Sequence, residues 1–502
     1  MKKSILLVPS AFILSVLLLV SCQKYYLPTE YIEEGSALQN EADVSTATIG
    51  TYALLKSEAY VRSGHFLMEY PGDAVTQGQT SGDDLTRAYR YNHINTSGHC
   101  TNFWSQSYKI VAAANKVIEF VPDDAGEGLQ QLKGENLFLR ALVHFNLVRI
   151  FGRPYGQNNG DNLGVPILRE GLSEEESSTL SRSSVKEVYD FVISDLLKAA
   201  SLMTEEKSNS FASAEVAYAL LARAYLYIED NENALKYADM VINSNRYGLV
   251  EGNEYSSYFR MSPDNNKETI FCIRHTKVED RAMSAIGSMY FSGDVSGNPL
   301  GQGVSGWAEI YASKKYYDFV QQHPHDIRNA FITPYVIGDE LQYNQKLTPV
   351  TPMYYVNKYS LQEGQINLSS PIYLRLAETY LIRAEAQAKL GNSSEALADV
   401  NRIRSRAGLT QAEQYTPANL GGKSLLDIVL EERFLELAFE GHRAYDLFRN
   451  NKALERNYPG THALNNTPTT DITQVVEPSA NRVVFYIPQA EINRNSNLVQ
   501  NP

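Results

Sequence analysis

Two stretches of the chain repeat one pattern: ALLARAYLYIEDNENALKYAD at residues 219–239 and LIRAEAQAKLGNSSEALAD at residues 381–399. In each, apolar residues recur at helical spacing and a short polar turn follows. An Ala-Leu pair and then an aspartate follow in each, Ala234-Leu235 with Asp239 and Ala396-Leu397 with Asp399. The pattern predicts two helices joined by a tight turn, with small alanines where the helices approach each other closely.

The length of this unit matches the tetratricopeptide repeat of ~34 residues, although the full repeat signature is absent, so we describe the hairpins as TPR-like. One such hairpin cannot bury its apolar face alone and has to stack on others. The fold is therefore predicted to be mainly α-helical.

Helical periodicity extends this scaffold to residues 42–245 and 371–450. Further helices are predicted at 42–62, 103–121, 130–151, 184–203, 212–229, 231–244 and, as a helix pair, 424–450. A glycine-rich loop is predicted at residues 63–100, and residues 451–502 are predicted to be irregular.

Residues 246–370 interrupt the helical pattern. This stretch is rich in Gly, Pro, Asn and Tyr, and it carries Trp307 and 12 of the 33 tyrosines. Short strand-like runs occur in it, such as residues 269–274. We interpret it as a large, irregular, tyrosine-rich insertion on the helical scaffold, with a small sheet at most.

The amino terminus has the features of an export signal. Lys2 and Lys3 precede an apolar run at residues 5–20 that is short for a membrane span. The ending Leu19-Val20-Ser21-Cys22 resembles the lipobox of bacterial lipoproteins. Residues 1–21 are thus predicted to be a signal peptide and Cys22 the lipid-bearing first residue of the mature chain. The alternative is an ordinary secretory signal followed by a chance cysteine.

Composition narrows the function classes. The net charge of −13 and the pI near 5.3 argue against a nucleic-acid partner, whose phosphates require clustered basic residues. Besides Cys22 only Cys100 and Cys272 occur, too few for a disulfide framework; whether these two pair is left open. No metal site or cofactor is expected.

Carboxylates are dense in residues 431–449, where Glu432, Glu436 and Glu440 share a helix face with Arg433 and Arg443 nearby. Such spacing favours a structural ion-pair lattice over acid–base catalysis. His442 is interpreted as a packed side chain, and the His323-Pro-His325 segment as a solvated turn rather than a metal site. Short catalytic motifs are absent from the chain, so we expect no enzyme.

Four segments resemble the SusD-like (RagB-like) nutrient-uptake lipoproteins of the bacterial outer membrane. They are residues 139–152 (LRALVHFNLVRIFG), residues 373–386 continued by 401–408, residues 431–449 with the run Phe-Glu-Gly-His-Arg, and residues 486–502. The resemblance spans nearly the whole chain. It implies a right-handed superhelix of about four TPR-like hairpins with an irregular ligand-binding face.

The same resemblance implies a binding protein that captures oligosaccharides, or in some members peptides, and passes them to a SusC-like TonB-dependent transporter. The ligand aromatics of the family come from the early loop region and from the large insertion. The corresponding candidates are Tyr70, Tyr89, Tyr91, Trp104, Tyr290, Trp307 and Tyr311, with Asp73, Asp83, Asp84 and Arg87 as polar partners.

Among these candidates Trp307 is favoured, because an aromatic residue in a glycine-rich loop has little core to join. Trp104 is more simply explained as a core residue, since Trp104, Tyr108 and Val111 follow helical spacing. A peptide-binding member of the family and, less favoured, a carboxylate-dependent hydrolase are the alternatives. The Gln23-Lys24 sequence after Cys22 lacks an acidic export cue, so the expected outward orientation on the outer membrane rests on the resemblance alone.

Overall fold

A computed structural model describes residues 38–78, 83–337, 340–344, 351–462 and 473–502 of the chain. The predicted signal peptide, Cys22 and the tether that follows lie outside the described residues.

The described chain is mainly helical, as predicted. Its helices are α1 (Glu41–Leu55), α2 (Glu58–Glu69), α3 (Asp84–Tyr89), α4 (Gly98–Phe120), α5 (Glu127–Phe151), α6 (Glu174–Ser178), α7 (Val185–Leu202), α8 (Ala214–Tyr227), α9 (Asn231–Asn243), α10 (Gly287–Tyr290), α11 (Lys314–Val320), α12 (Leu376–Lys389), α13 (Ser393–Arg406), α14 (Leu425–Glu436), α15 (Arg443–Arg449) and α16 (Gln489–Arg494).

The long helices pack in series. Helix α4 lies on α5, α5 on α7, α7 on α8, α8 on α9, α9 on α12, and α12 on α13. The two repeats identified in the sequence are the hairpins α8–α9 and α12–α13, and their alanines are buried between the helices. The number of hairpins and the handedness of the array stay predictions.

Arg383 ties the two repeats together. Its guanidinium binds Asp239 of the first hairpin at 2.7 Å and Asp399 of the second at 2.7 Å. These are the aspartates that follow the Ala-Leu pairs of the two repeats. The repeat therefore marks a contact between hairpins as well as the packing within each one.

The predicted loop at residues 63–100 is wrong in its first part. Helix α2 continues through Gly64 to Glu69, and Phe103 of α4 packs directly against this glycine. A Cβ atom at position 64 would lie 2.7 Å from the Phe103 ring. Gly64 is therefore a close-packing residue rather than a helix breaker, which composition alone does not distinguish.

The insertion is irregular, as predicted, with short antiparallel strand pairs instead of one sheet. The strands of the whole described chain, of which β2 to β9 lie in the insertion, are β1 (Val75–Gln77), β2 (Thr269–Cys272), β3 (Ile310–Ala312), β4 (Ile332–Pro334), β5 (Val336–Ile337), β6 (Glu340–Leu341), β7 (Tyr343–Asn344), β8 (Thr351–Pro352), β9 (Tyr354–Val356), β10 (Ile372–Arg375), β11 (Leu454–Arg456) and β12 (Gln474–Val476). In the described ranges they pair as β1–β3, β2–β10, β4–β9, β5–β6, β7–β8 and β11–β12.

A buried network of ion pairs joins this insertion to the scaffold. Arg375, at the end of β10, binds Glu436 of α14 at 2.5 Å, Glu268 at 3.2 Å and Glu440 at 2.7 Å. Arg406 of α13 binds the same Glu436 and Glu268. Five cationic and five acidic side chains, each at most 6% exposed, form the network: Arg328, Lys358, Arg375, Arg404 and Arg406 with Glu268, Asp326, Glu432, Glu436 and Glu440.

The structural ion-pair lattice predicted from residues 431–449 is thus confirmed. The two arginines expected beside these glutamates bind other carboxylates, Arg433 to Asp446 at 2.8 Å and Arg443 to Asp73 at 2.8 Å. Burial opposes ionisation of Glu436, but Arg406, Arg375, Arg328 and Lys358 hold its pKa far below the usual range. This carboxylate is therefore charged throughout the physiological pH range.

Cys100 and Cys272 are both buried free thiols, and burial raises the pKa of each to about 12. None of the helices within the described ranges is both long enough and apolar enough to cross a membrane.

Removal of the Glu436 carboxylate tests how much the buried ion-pair network contributes to stability. Glu436→Ala leaves Arg375 and Arg406 with one carboxylate fewer in the interior, and we expect it to lower the free energy of unfolding by about 3–5 kcal/mol. Glu395→Ala, at an exposed position on α13, is the matched control and should change it by less than about 0.5 kcal/mol. Urea unfolding of both variants measures the difference, and equal stabilities would contradict a structural role for the network.

Candidate functional site

A short ribbon joins the two regions from which ligand residues are expected. Strand β1 pairs with β3, so that Thr76 lies opposite Tyr311, and the Gly78 N–H donates to the Glu309 carbonyl at 2.8 Å. Gly78 has no room for a side chain, since a Cβ there would lie 2.1 Å from the Tyr311 ring. The early segment and the insertion thus meet edge to edge.

Trp307 stands at the end of a tight turn that leads into this ribbon, and its side chain is 46% exposed. The indole Nε1–H donates to the Met283 carbonyl at 3.2 Å, which fixes the orientation of the ring. The preceding Gly306 is pressed against the chain, where a Cβ atom would lie 1.9 Å from the Phe291 carbonyl oxygen. On the other side of Trp307, the Ala308 backbone N–H donates to the Ser288 carbonyl at 2.8 Å. Trp307 is therefore a preoriented aromatic surface.

The other six aromatic candidates are interior residues, and burial corrects the prediction for all of them. They are Tyr70, Tyr89, Tyr91, Trp104, Tyr290 and Tyr311, none more than 8% exposed. A buried ring has no face on which a ligand can stack. For Trp104 the core explanation is the right one, because its ring packs on Phe151 with centroids 5.1 Å apart.

Some of the buried tyrosines use their hydroxyl groups inside the protein. Tyr290 shares a hydrogen bond of 2.7 Å with His65, and the Tyr91 hydroxyl donates to the Pro71 carbonyl at 2.6 Å. Tyrosine can fill a core while satisfying an internal polar group. The tyrosine excess of this chain is thus partly structural.

A shallow surface cleft, in which the centre of a water-sized sphere has about 30 Å³ of space, adjoins Trp307. The link is direct, because Met283 precedes the cleft residues Ser284 and Ala285, and because Asn367 of the cleft donates to the Ser305 carbonyl at 2.8 Å. Apolar side chains form part of the cleft lining: Val61, Ala285, Ile286, Leu368 and Pro371.

Charged side chains of both signs surround this apolar lining. Lys56 binds Glu279 at 2.7 Å, Arg62 binds Glu58 of the same helix, and the Arg281 guanidinium donates to the Lys56 carbonyl at 3.2 Å. Burial opposes ionisation of Glu279, but Lys56 and Thr276 hold its pKa at about 2. Glu279 is therefore charged at neutral pH. The polar groups of the cleft are partly exposed, so they can accept and donate hydrogen bonds to a ligand.

The predicted polar partners divide into two groups. Asp73 is buried between Arg443 and Lys315 and is structural, and Asp84 accepts the Gly98 N–H at 2.6 Å. Asp83 is exposed and caps α3 by accepting the Thr86 N–H at 2.8 Å, while Arg87 is half-buried on the same helix. Asp83 and Arg87 stay predictions.

Comparison with known proteins identifies the chain. A family model described as the SusD family matches residues 333–502, and a second, described as starch-binding and associating with the outer membrane, matches residues 29–226. The chain belongs to the SusD/RagB-like family. The motif segments at 139–152, 373–408, 431–449 and 486–502 all lie inside the two matched ranges.

Individual SusD-like relatives agree over most of their length. SusD-like protein P2 of Formosa agariphila is 28% identical over 98% of both chains. The starch-binding protein SusD of Bacteroides thetaiotaomicron is 26% identical over 75% of this chain and 73% of its own. A solved SusD superfamily structure from the same Bacteroides species superposes with a TM-score of 0.80 at 28% identity, covering 92% of this chain and 100% of that one.

The cleft of this SusD-like chain escaped prediction because its residues come from distant segments. Lys56, Glu58 and Arg62 stand at the start of α2, Glu279 and Arg281 follow β2, and Asn367 precedes β10. The one usable signal was the Glu58–Arg62 spacing of four residues, which is typical of an ion pair on a helix. That spacing does not indicate a cleft, because the same segment is predicted to be the end of the first helix.

A cluster of metal-binding side chains is not found in the described part of this SusD-like chain. No group of three or more His, Cys, Asp or Glu side chains there is arranged to hold a metal ion. Instead, both histidines contact the carboxylate of Glu413. His323 Nδ1 lies 2.6 Å from one of its oxygens, and His325 Nε2 lies 3.0 Å from the other. The segment is a turn pinned by that glutamate, so the predicted turn is confirmed with a partner that the sequence did not indicate.

Proposed function

We propose that this chain is a lipid-anchored outer-membrane protein that captures oligosaccharides on the surface formed by Trp307 and the adjoining cleft. It passes them to a SusC-like TonB-dependent transporter. The observation that carries the proposal is the exposed, hydrogen-bonded indole of Trp307 beside an apolar cleft lined with charged groups. The starch-binding name of one relative and the starch-binding description of one family model support the carbohydrate class.

The chemistry of this surface suits sugars. A pyranose ring presents C–H bonds on its faces, which pack on an aromatic ring, and hydroxyl groups at its edge, which require hydrogen-bond partners. Trp307 supplies the flat face, while Lys56, Arg62, Glu58, Glu279 and Asn367 supply donors and acceptors close by.

The surface is also preorganised. The indole is fixed by the Met283 carbonyl, and the rim carboxylates are held by Lys56 and Arg62. Ligand binding therefore loses little side-chain entropy, because these side chains are already ordered, and this preserves the affinity of a site of modest size.

Anchoring places the site beside its transporter. In this proposal residues 1–21 are removed and Cys22 carries the lipid. Membrane attachment keeps the binding protein at high effective concentration next to the transporter, since both then share one surface. We place the protein on the outer face of the outer membrane, as the family resemblance implies.

Peptide capture is the second candidate within the same family. The cleft carries ammonium, guanidinium and carboxylate groups together, which could pair with the charges of a peptide. A hydrolase is not proposed, because Glu432, Glu436 and Glu440 are buried in ion pairs with Arg328, Arg375 and Lys358 and are closed to a substrate.

Substitution of Trp307 tests the ligand surface. Trp307→Ala removes the stacking face, and we expect it to weaken glycan binding on the order of tenfold, about 1.4 kcal/mol. Phe120→Ala, which removes an equally exposed ring at the end of α4, is the control and should leave binding unchanged. Isothermal titration of residues 23–502 and its variants against a glycan panel measures both.

Three results would contradict that proposal. They are no binding heat with any glycan, equal affinities for Trp307→Ala and the parent protein, or binding heat with peptides only. Binding heat with peptides only would instead support peptide capture at this surface.

Substitution of the lipid-bearing residue tests the anchoring. We expect Cys22→Ser to block lipid attachment, so that the protein leaves the outer-membrane fraction while its purified soluble part binds glycan normally. Membrane fractionation with radiolabelled palmitate shows the change. A Cys22→Ser protein that stays in the outer membrane would contradict a lipid anchor at this position.

A further inference from the structure

A roomy groove adjoins the shallow cleft beside Trp307. The centre of a water-sized sphere has about 380 Å³ of space in this groove, against about 30 Å³ in the cleft. One bound water needs roughly 10–15 Å³ by the same measure. The cleft alone therefore offers little depth to a ligand, whereas the groove has space for a group of many atoms.

The cleft and the groove meet at Lys56, just after α1, because this residue lines both of them. The chain segment that follows β2 separates the two spaces. His275 and Glu279 of this segment line the cleft, while Arg274 and Thr276 line the groove. The cleft and the groove thus lie on either side of one short segment.

Trp307 is close to this meeting point. Its indole donates to the Met283 carbonyl at 3.2 Å. Two residues before Met283, the Arg281 guanidinium donates to the Lys56 carbonyl, also at 3.2 Å. Two residues of chain span at most about 7 Å. A ligand of a few sugar units that stacks on Trp307 therefore reaches Lys56 and the entrance of the groove.

The lining of the groove includes accessible apolar side chains. Ile49, which is 57% exposed, and the exposed Ala53 lie one turn apart on α1. The half-buried Phe211 packs edge to face on Tyr52, with ring centroids 5.0 Å apart. Hydroxyl and charged groups lie among these side chains: Ser208, Ser210, Asp264, Arg274 and Thr276. A pyranose ring requires this combination of apolar surface and hydrogen-bonding groups.

Basic and acidic side chains balance across the cleft and the groove. Besides His275, the described residues of the cleft lining include three basic and three acidic side chains: Lys56, Arg62, Arg281, Glu58, Glu279 and Asp280. The groove adds Arg274 and Asp264, which bind each other at 3.2 Å, and Arg274 also binds Glu363 at 2.9 Å. His275 is uncharged at neutral pH, because burial lowers its pKa. An anionic glycan would therefore bring charge that this lining does not compensate.

We propose that the groove is a second sugar-binding subsite, and that the ligand is an uncharged oligosaccharide long enough to occupy Trp307, the cleft and the groove together. This inference rests on the proposed function, because it extends the same ligand surface. Trp307 and the cleft hold one part of the sugar chain, and the groove holds its continuation. The surface thus selects its ligand by chain length and by charge.

Oligosaccharides of increasing length test the groove with the unaltered protein. The probes are malto-, laminari-, xylo- and manno-oligosaccharides, all uncharged, each from the disaccharide to the hexasaccharide. Isothermal titration of residues 23–502 should show, in the series that binds, an affinity that rises about tenfold once the chain reaches the groove. Equal affinities for the disaccharide and the hexasaccharide would overturn the groove subsite and leave capture at Trp307 intact. Absence of binding in every series would contradict the proposed function as well.

Obstruction of the groove provides a second readout. Ala53→Trp places a large ring in the groove from an exposed helical position, and we expect it to lower the affinity for the hexasaccharide about tenfold, to the level of the disaccharide. Ala398→Trp, at an exposed position on α13, is the matched control and should leave the affinity unchanged. Trp307→Ala should weaken both lengths. An unchanged affinity of Ala53→Trp for the hexasaccharide would overturn the proposal.

A charged probe tests the selection by charge. Hexagalacturonate, which carries a carboxylate on every sugar unit, should bind at least tenfold more weakly than the best neutral hexasaccharide. Tighter binding of hexagalacturonate than of every neutral hexasaccharide would overturn the assignment of an uncharged ligand.

Discussion

The ion pairs around Arg375 and Glu436 are the constraint on which the rest of the structure depends. Transfer of ten charged side chains into the interior costs several kcal/mol for each ion, and only close pairing offsets that cost. The partners come from the insertion, from β10 and from helices α13 and α14, so these segments can be buried only together. The network makes an otherwise irregular stretch of some hundred residues adopt one position on the helical scaffold.

The network also fixes the position of the surface proposed to bind glycans. Leu368 and Pro371 of the cleft immediately precede β10, the strand that ends in Arg375, while Ile286 begins the turn that leads into α10. The opposite wall comes from α2, which packs on α4 through Gly64. Trp307 lies beside the cleft, a few residues before β3, which pairs with β1. The insertion therefore acts as a preformed half of the site rather than as a loop that folds over its ligand.

The sequence predicted the scaffold well, because helical periodicity, alanine placement and turn residues are local signals. It also predicted that the carboxylates at residues 431–449 form ion pairs, but not their partners, which come from distant segments. It did not show which tyrosines are buried: irregular chain has no periodicity that separates an inner from an outer face, and Tyr70, Tyr290 and Tyr311 all proved to be core. The cleft, assembled from residues more than two hundred positions apart, left no local trace. Flanking glycines, which are a local signal, favoured Trp307, and among the aromatic candidates it is the exposed one.

The central claim is that Trp307 and the cleft beside it form the ligand surface. A crystal structure of residues 23–502 with the tightest-binding glycan of the panel tests this most directly. The account predicts a sugar ring stacked on the Trp307 indole, with hydroxyl groups within hydrogen-bonding distance of Lys56, Arg62 or Glu279. A glycan bound elsewhere on the protein, with Trp307 and the cleft filled only by solvent, would contradict it.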